Sequence, residues 1–279
     1  MTGYRTKTEV SEYAALGVFI SLIENRSLVY QLTRRNIAIR FRGAALGVLW
    51  SLFTPILMLA VYTFVFGTIL EIRWIEQKGG NLEFATILFS GLIIHSYFSE
   101  CLQSSVQLIT DNRQYVKKVV FPLEALAWVA ILTSLFQVAV STGVLLLYLL
   151  LVQGALSWTI IFLPIILAPL MLFALGISWI ISSTAVYLRD IGQLVGPITL
   201  ILLFVSPIFY PVSSIPSEFQ FLLYLNPITW VVDQVRNAML WGLTPYIQGY
   251  LVYLVFAFLV SWIGFSVFKK LRPGFSDVV

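Results

Sequence analysis

Three side chains with chemical potential lie inside apolar stretches of the chain: His95, Glu100 and Cys101. A histidine and a carboxylate within reach of each other could relay protons, and ionisable groups at membrane depth are costly enough to suggest function. Here they stand five positions apart, on different faces of a helix, which makes a poor relay. Ser96, Glu100, Gln103 and Gln107 instead follow i, i+4, i+7 and i+11 and form one polar stripe. Such stripes hydrogen-bond helices together or face a polar pore, and structural hydrogen bonding is the role expected of Glu100. Cys101 is the single cysteine, so it can form neither an intramolecular disulfide nor a cysteine-based zinc cluster. No G-x-x-x-x-G-K-[ST] loop is present to cradle nucleotide phosphates. The expectation is therefore no catalytic residue, no metal site and no cofactor held by this chain. A lipid-modifying enzyme lacks its cluster of acids and histidines, and an ion-coupled carrier lacks its relay.

The elements that hold these residues are membrane helices. Of 279 residues, 59% are hydrophobic and 11% charged, with a mean hydropathy of +0.92, which excludes both an ordinary soluble domain and a disordered chain. Uncharged gaps of 28 residues (Arg42 to Glu71), 64 (Glu124 to Arg189), 27 (Asp190 to Glu218) and 32 (Arg236 to Lys269) exceed the length needed to cross a bilayer. The 64-residue gap holds two spans, with a turn at Gln153-Gly154 through Ser157. One more span, 84–109, is interrupted by the single charge of Glu100, so six result: 44–70, 84–109, 125–152, 158–184, 192–211 and 247–268. Lys and Arg number 14 on the side holding both termini and 3 (Arg73, Lys78, Arg236) on the other, so both termini are expected in the cytoplasm. No cleavable signal peptide is evident. The basic excess flanks the membrane, making lipids rather than nucleic acid the expected surface partner.

Two segments depart from simple spans. Tyr13, Leu16, Phe19, Ile20 and Ile23 repeat at helical spacing but are too few to cross, predicting an amphipathic interface helix within a cytoplasmic segment 1–43. In residues 26–42, Leu28, Leu32 and Ile39 form one stripe and Tyr30, Ile37 and Phe41 another, with arginines between. That pattern serves equally as a headgroup anchor or as a docking surface. Within residues 44–279, the six-span domain, five prolines (207, 211, 216, 227 and 245) break an apolar stretch into two short helices between spans five and six. We expect a re-entrant pair there, because an apolar loop of that length would expose a large patch to water. Gly43-x-x-x-Gly47 and Gly192-x-x-x-Gly196 are small-residue motifs that permit close helix packing.

Several of these residues together resemble a family. Arg34-Arg35-Asn36, then Arg40-Phe41-Arg42-Gly43-Ala44-Ala45-Leu46-Gly47-Val48-Leu49-Trp50 with Thr54-Pro55, resembles the start of permease subunits of ABC-2-type polysaccharide exporters. These export O-antigen, capsule or teichoic acid. Val116 to Pro122, Tyr187-Leu188-Arg189-Asp190, Ser206-Pro207-Ile208-Phe209-Tyr210, Asn226-Pro227 and Arg236 follow in order. Asn36 and Ala44 depart from the family, which often has an acid and a serine there. The resemblance implies a homodimer in the bacterial inner membrane, with two copies of a separate ATPase that binds ATP and Mg, moving a lipid-linked polysaccharide, O-antigen above the others. It implies ATPase coupling through Arg34, Arg35, Arg40 and Arg42 and through Arg113, Lys117, Lys118, Phe121 and Pro122. It also implies a channel lined by spans one and five, for which Trp50, Tyr62, Phe66, Phe204, Phe209 and Tyr210 are the aromatic candidates, since rings offer flat apolar faces to sugars. Pro207, Pro211, Asn226, Pro227 and Arg236 mark the external re-entrant region. An ABC-2 permease for a small lipid or drug would keep the same fold.

Overall fold

The computed structural model describes residues 17–43, 47–69, 84–117 and 121–278. Among these residues there is no strand. The principal helices are α1 (Gly17–Glu24), α2 (Arg26–Arg40), α3 (Gly47–Ile69), α4 (Phe84–Val106) and α5 (Ala125–Gln153). They continue as α6 (Trp158–Ala185), α7 (Ile191–Val205), α8 (Ser217–Leu225), α9 (Pro227–Met239) and α10 (Ile247–Leu271). Five of them, α3, α4, α5, α6 and α10, are long and apolar enough to cross a membrane, and the chain is a multi-pass membrane protein.

The fifth expected span is shorter than its boundaries 192–211. At 1.5 Å per residue the 15 residues of α7 reach about 22 Å, against about 30 Å of hydrocarbon. The helix stops at Val205 because Pro207 disfavours helical backbone in the residue before it, and Ser206 is extended (φ −79°, ψ 147°). Between α7 and α10 the chain forms the expected two short helices, α8 and α9, hinged at Asn226-Pro227.

Contacts between helix ends define two ends of the bundle. At the near end Arg40 meets Glu100, Gly192 meets Val106, Glu124 meets Arg272 and Tyr187 meets Leu271. At the far end Arg236 of α9 meets Ile87 and Pro207, and Thr159 donates to the Ala238 carbonyl at 2.6 Å. α4 runs through the middle, enclosed by α5, α6, α7 and α9. Its histidine ties it to α7: His95 Nε2 lies 2.9 Å from the Thr199 carbonyl, which can only accept, so that nitrogen carries the proton.

The tightest packing is between α6 and α10, where neither glycine motif named from the sequence lies. A Cβ on Gly264 would sit 2.1 Å from the Gly176 carbonyl oxygen, and one on Gly176 would sit 2.7 Å from the Ser261 backbone. Backbones this close gain dispersion contacts that a membrane interface must otherwise do without. Of the sequence motifs, Gly192 approaches Val106 (2.8 Å from an added Cβ), whereas Gly43, Gly47 and Gly196 have nothing within 4 Å in this subunit. Gly43 (φ +83°) and Gly47 (φ +52°) supply left-handed backbone between α2 and α3.

The interface segment turns its apolar stripe outward and packs on the bundle with its smaller residues. α1 buries Gly17, Val18 and Ser21, and Trp128 Nε1 donates to Ser21 Oγ at 3.3 Å. Phe19, Ile20 and Ile23 point outward, with Phe19 stacked on Phe258 of α10. In α2, Val29 and Leu32 are buried while Tyr30 and Ile39 are exposed. Tyr13 and Leu16 lie outside the described residues.

Replacing Gly264 with valine is expected to force α6 and α10 apart, costing at least about 1–3 kcal/mol, the usual penalty of overpacking. Thermal unfolding of the purified variant checks this: a clear drop in Tm is expected, and an unchanged Tm would refute the close approach.

Candidate functional site

Three constructions stand out, one at each end of the bundle and one between them. At the far end sits a buried arginine. Arg236 is 2% exposed and donates to three backbone carbonyls: Nη1 to Pro207 (2.6 Å), Nη2 to Ile208 (3.1 Å) and Ile87 (3.2 Å), and Nε to Ile87 (3.3 Å). Asp233, one turn earlier, supports its charge. The carbonyls of Pro207 and Ile208 belong to the irregular backbone beyond α7, where polar groups must find partners in protein if the segment is to avoid water. Asn226 completes the fastening. Its Oδ1 caps α9 by accepting from Ile228 N (3.0 Å), and its Nδ2 donates to Ser206 Oγ (2.9 Å). Pro227 fills the first helical position, where no backbone donor is missed. Gly91 leaves room for the guanidinium, since a Cβ there would lie 3.0 Å from Arg236 Nη2. Arg236, named from the sequence as part of the external re-entrant region, is interior, holding α4, α9 and the end of α7 together.

Between the ends lies a cavity of about 310 Å³ walled by α3, α4 and α5. Trp50, Tyr62, Phe89 and Tyr97 supply aromatic walls, and hydroxyl and amide groups come from all three helices. Two members of the predicted polar stripe, Ser96 and Glu100, line it; Gln103 is exposed and bonded to Ser99, and Gln107 borders a different pocket. Glu100 accepts from Arg40 Nη1 at 2.5 Å, an ion pair across the near-end mouth of the cavity. Gln137 has a structural task. Pro55 has no N–H for the carbonyl one turn before it, Ser51, and Gln137 Nε2 donates to that oxygen at 3.2 Å.

At the near end a chain of contacts joins α2 to α10. Arg35 Nη1 donates to the Tyr115 hydroxyl at 2.9 Å; the Tyr115 ring stacks on Phe121 (4.3 Å, 11°). Arg272 donates to the Phe121 carbonyl at 3.0 Å and to Glu124 Oε2 at 3.0 Å, while Lys269 Nζ lies 2.7 Å from Glu124 Oε1. The backbone carbonyl of Glu124 accepts from Trp179 Nε1 at 3.1 Å. Glu124 is 6% exposed, so its two cations compensate a charge that would be expensive to bury alone.

The residues predicted from sequence are distributed among these three places. Arg35 and Phe121 meet through Tyr115, whereas Arg40 faces the cavity. Arg34, Arg42, Arg113 and Lys117 are exposed, and Pro122 is half-buried beside Phe121. Lys118 lies outside the described residues. Trp50 and Tyr62 line the cavity; Phe66 packs on Tyr62 and Phe84 just beyond it. Phe204, Phe209 and Tyr210 cluster at the far end, Phe204 stacked on Phe209 and its carbonyl bonded by the Tyr210 hydroxyl, with Pro211 following in extended backbone. Tyr115, Glu124, Lys269, Arg272 and Gln137 were missed. An aromatic two residues before a pair of lysines, and a lone acid opposite a basic tail, signal nothing until the fold brings 121 and 272 together.

A multi-pass helical bundle with an internal polar cavity has the architecture of a membrane permease. The family model of the ABC-2 type transporter matches residues 27–240, and the chain belongs to that family. It is 24% identical over 260 residues to the O-antigen export system permease protein RfbA of Myxococcus xanthus, covering 92% of this chain and 97% of that one. A protein of the same name from Klebsiella pneumoniae is 23% identical over 254 residues (90% and 95% covered). The polysialic acid transport protein KpsM of Escherichia coli is 28% identical over 211 residues (75% and 79% covered).

Arg236→Leu is expected to strand three buried carbonyls at about 1–3 kcal/mol each, enough to stop accumulation of folded protein. Arg236→Lys keeps the charge without the planar fork, so it folds with a lower Tm. Normal yield and Tm for Arg236→Leu would contradict the clamp.

Proposed function

We propose that the chain is the membrane subunit of an ABC exporter that moves a lipid-linked polysaccharide, of the O-antigen type, outward across the bacterial cytoplasmic membrane. Membership of the ABC-2 family and near full-length likeness to two O-antigen export permeases support this. The structural observation that carries it is the run of contacts from the Phe121 corner through Tyr115 and Arg35 into α2, whose other end reaches the cavity mouth through Arg40.

In this reading the near end is cytoplasmic, as the 14 to 3 distribution of Lys and Arg favours. α7 is the fifth of six spans, completed by the residues beyond Val205, and α8 and α9 form a re-entrant pair. Two copies of the chain associate, with α3 and α7 from each facing the translocation path. Two copies of a separate ATPase bind ATP and Mg and press on the corner at Arg113 to Pro122 and on the arginines of α2. The stacked pair Tyr115–Phe121 transfers displacement to α2 through Arg35. Arg40, five residues on, then parts from Glu100 and opens the mouth. Because Arg272 and Glu124 bolt the same corner to α10, it moves as one body with the tail. Capsule export is the second reading, favoured by the likeness to a polysialic acid transporter; a permease for a small lipid or drug is the third.

Depletion of the protein, followed by fractionation and glycan analysis, tests the proposal. A surface polymer is expected to disappear while its lipid-linked form collects on the cytoplasmic side, and its sugars separate the O-antigen from the capsule reading. Unchanged surface and internal glycans would remove both and leave the small-lipid reading.

A further inference from the structure

Two arginines at the near end face a space of their own. A cavity of about 520 Å³ lies where the end of α4 meets the turn after α6 and the tail, and Arg113 and Arg189 line it from opposite segments. The tail supplies the third wall. Phe275 is buried against Phe268 and Tyr187, and the Tyr187 hydroxyl donates to the Leu271 carbonyl at 2.8 Å, which brings Val278 to the cavity. Most other cations of the near end are already engaged: Lys269 and Arg272 hold Glu124, Arg40 holds Glu100 and Arg35 holds the Tyr115 hydroxyl. Among the described residues, the guanidinium groups of Arg113 and Arg189 have no ion pair and no hydrogen bond, and the Gln107 amide beside them has none either. Asp111 also lines the cavity, beyond ion-pair distance of both arginines. Two arginines against one aspartate leave the lining with one net positive charge.

Two guanidinium forks and an amide that converge on one space are an arrangement that holds phosphate, because each fork offers paired N–H donors at the spacing of phosphoryl oxygens. One net positive charge matches the single negative charge of a phosphodiester. A diphosphate or a nucleotide would bring surplus negative charge next to Asp111. The surroundings indicate the source of the phosphodiester. Leu188, beside Arg189, is 63% exposed, and Leu194 in the first turn of α7 is 59% exposed. Bare leucine next to arginine at the end of a membrane helix is a surface for lipid, with charge at the headgroups and apolar side chains toward the acyl region.

We propose that this near-end cavity binds the phosphodiester headgroup of an anionic bilayer lipid, with Arg113 and Arg189 gripping the phosphate and Gln107 donating to it. Asp111 accepts from a hydroxyl of the headgroup, which makes a phosphatidylglycerol-like lipid the fitting ligand. A bound headgroup joins the corner that begins at Arg113 to the residues that open α7. The site concerns the bilayer and not the cargo, so it goes beyond the export reading and does not rest on it.

Native mass spectrometry of the full chain, released from nanodiscs of mixed phosphatidylglycerol and phosphatidylcholine, tests the site. The unaltered chain is expected to retain phosphatidylglycerol in preference to phosphatidylcholine. Arg113→Gln combined with Arg189→Gln is expected to lower that retention at least about tenfold, the worth of one charge-assisted hydrogen bond. Arg26→Gln removes an equally exposed charge that does not line the cavity, and retention is expected to persist. Thermal unfolding in the nanodiscs confirms that the variants are folded; if the double variant is not, Arg189→Gln alone gives the same reading at smaller size. Equal retention in all variants, equal loss in Arg26→Gln, or phosphatidylcholine held as firmly as phosphatidylglycerol would each overturn the site. Displacement of the lipid by inorganic phosphate would mark a free-phosphate site and overturn the lipid assignment. The depletion result does not bear on this outcome, since a site for bilayer lipid is independent of which polymer is exported.

Discussion

Everything at the far end depends on one requirement: irregular backbone surrounded by apolar side chains must still find hydrogen-bond donors. α7 is broken by Pro207 before it is long enough to cross, and the carbonyls freed there have no helical partner. Arg236 meets the requirement with a fork wide enough to reach Pro207, Ile208 and Ile87 at once. A lysine presents a point charge and could not satisfy all three. The Asn226–Ser206 bond then sets the angle at which α9 leaves the break. Ser-Pro-Ile, Asn-Pro and Arg236 are separated in sequence but form one object in space.

The near end solves a different problem. A helix that lies beside the bundle must report to it, and α2 has two grips about a turn and a half apart: Arg35 on Tyr115 and Arg40 on Glu100. Ahead of both, Val29 and Leu32 are buried where α2 packs on α5. In the proposed coupling, displacement of the Phe121 corner would reach the cavity mouth along this one helix, and the left-handed glycines 43 and 47 that follow suit a change of chain direction before α3. The same corner is anchored by Arg272 and Glu124 to the end of α10, which packs tightly on α6.

Much of this could be read from spacing alone. Charge-free gaps located four of the five long helices to within a few residues, and an apolar stretch broken only by Glu100 located the other, because a bilayer imposes both length and composition. The paired short helices and their Asn226-Pro227 hinge were visible for the same reason that prolines interrupt helices. What escaped were relations between distant positions. The burial of Arg236 could not be read from the sequence, because its partners lie 149 and 29 residues away. Gly176 and Gly264 belong to different helices and form no motif, whereas Gly43-x-x-x-Gly47 forms a motif and makes a turn. Gln137 is an ordinary polar residue until Pro55, on another helix, leaves a carbonyl for it.

The central claim is that the Arg40–Glu100 pair parts during each export cycle. Arg40→Cys and Glu100→Cys in a Cys101→Ser background, joined by a short cleavable bis-maleimide, test it in cells that carry the ATPase partner. With the bridge in place, ATP hydrolysis is expected to continue while polymer export stops, and cleavage of the linker is expected to restore export. Export at the unbridged rate with the bridge intact would contradict the account.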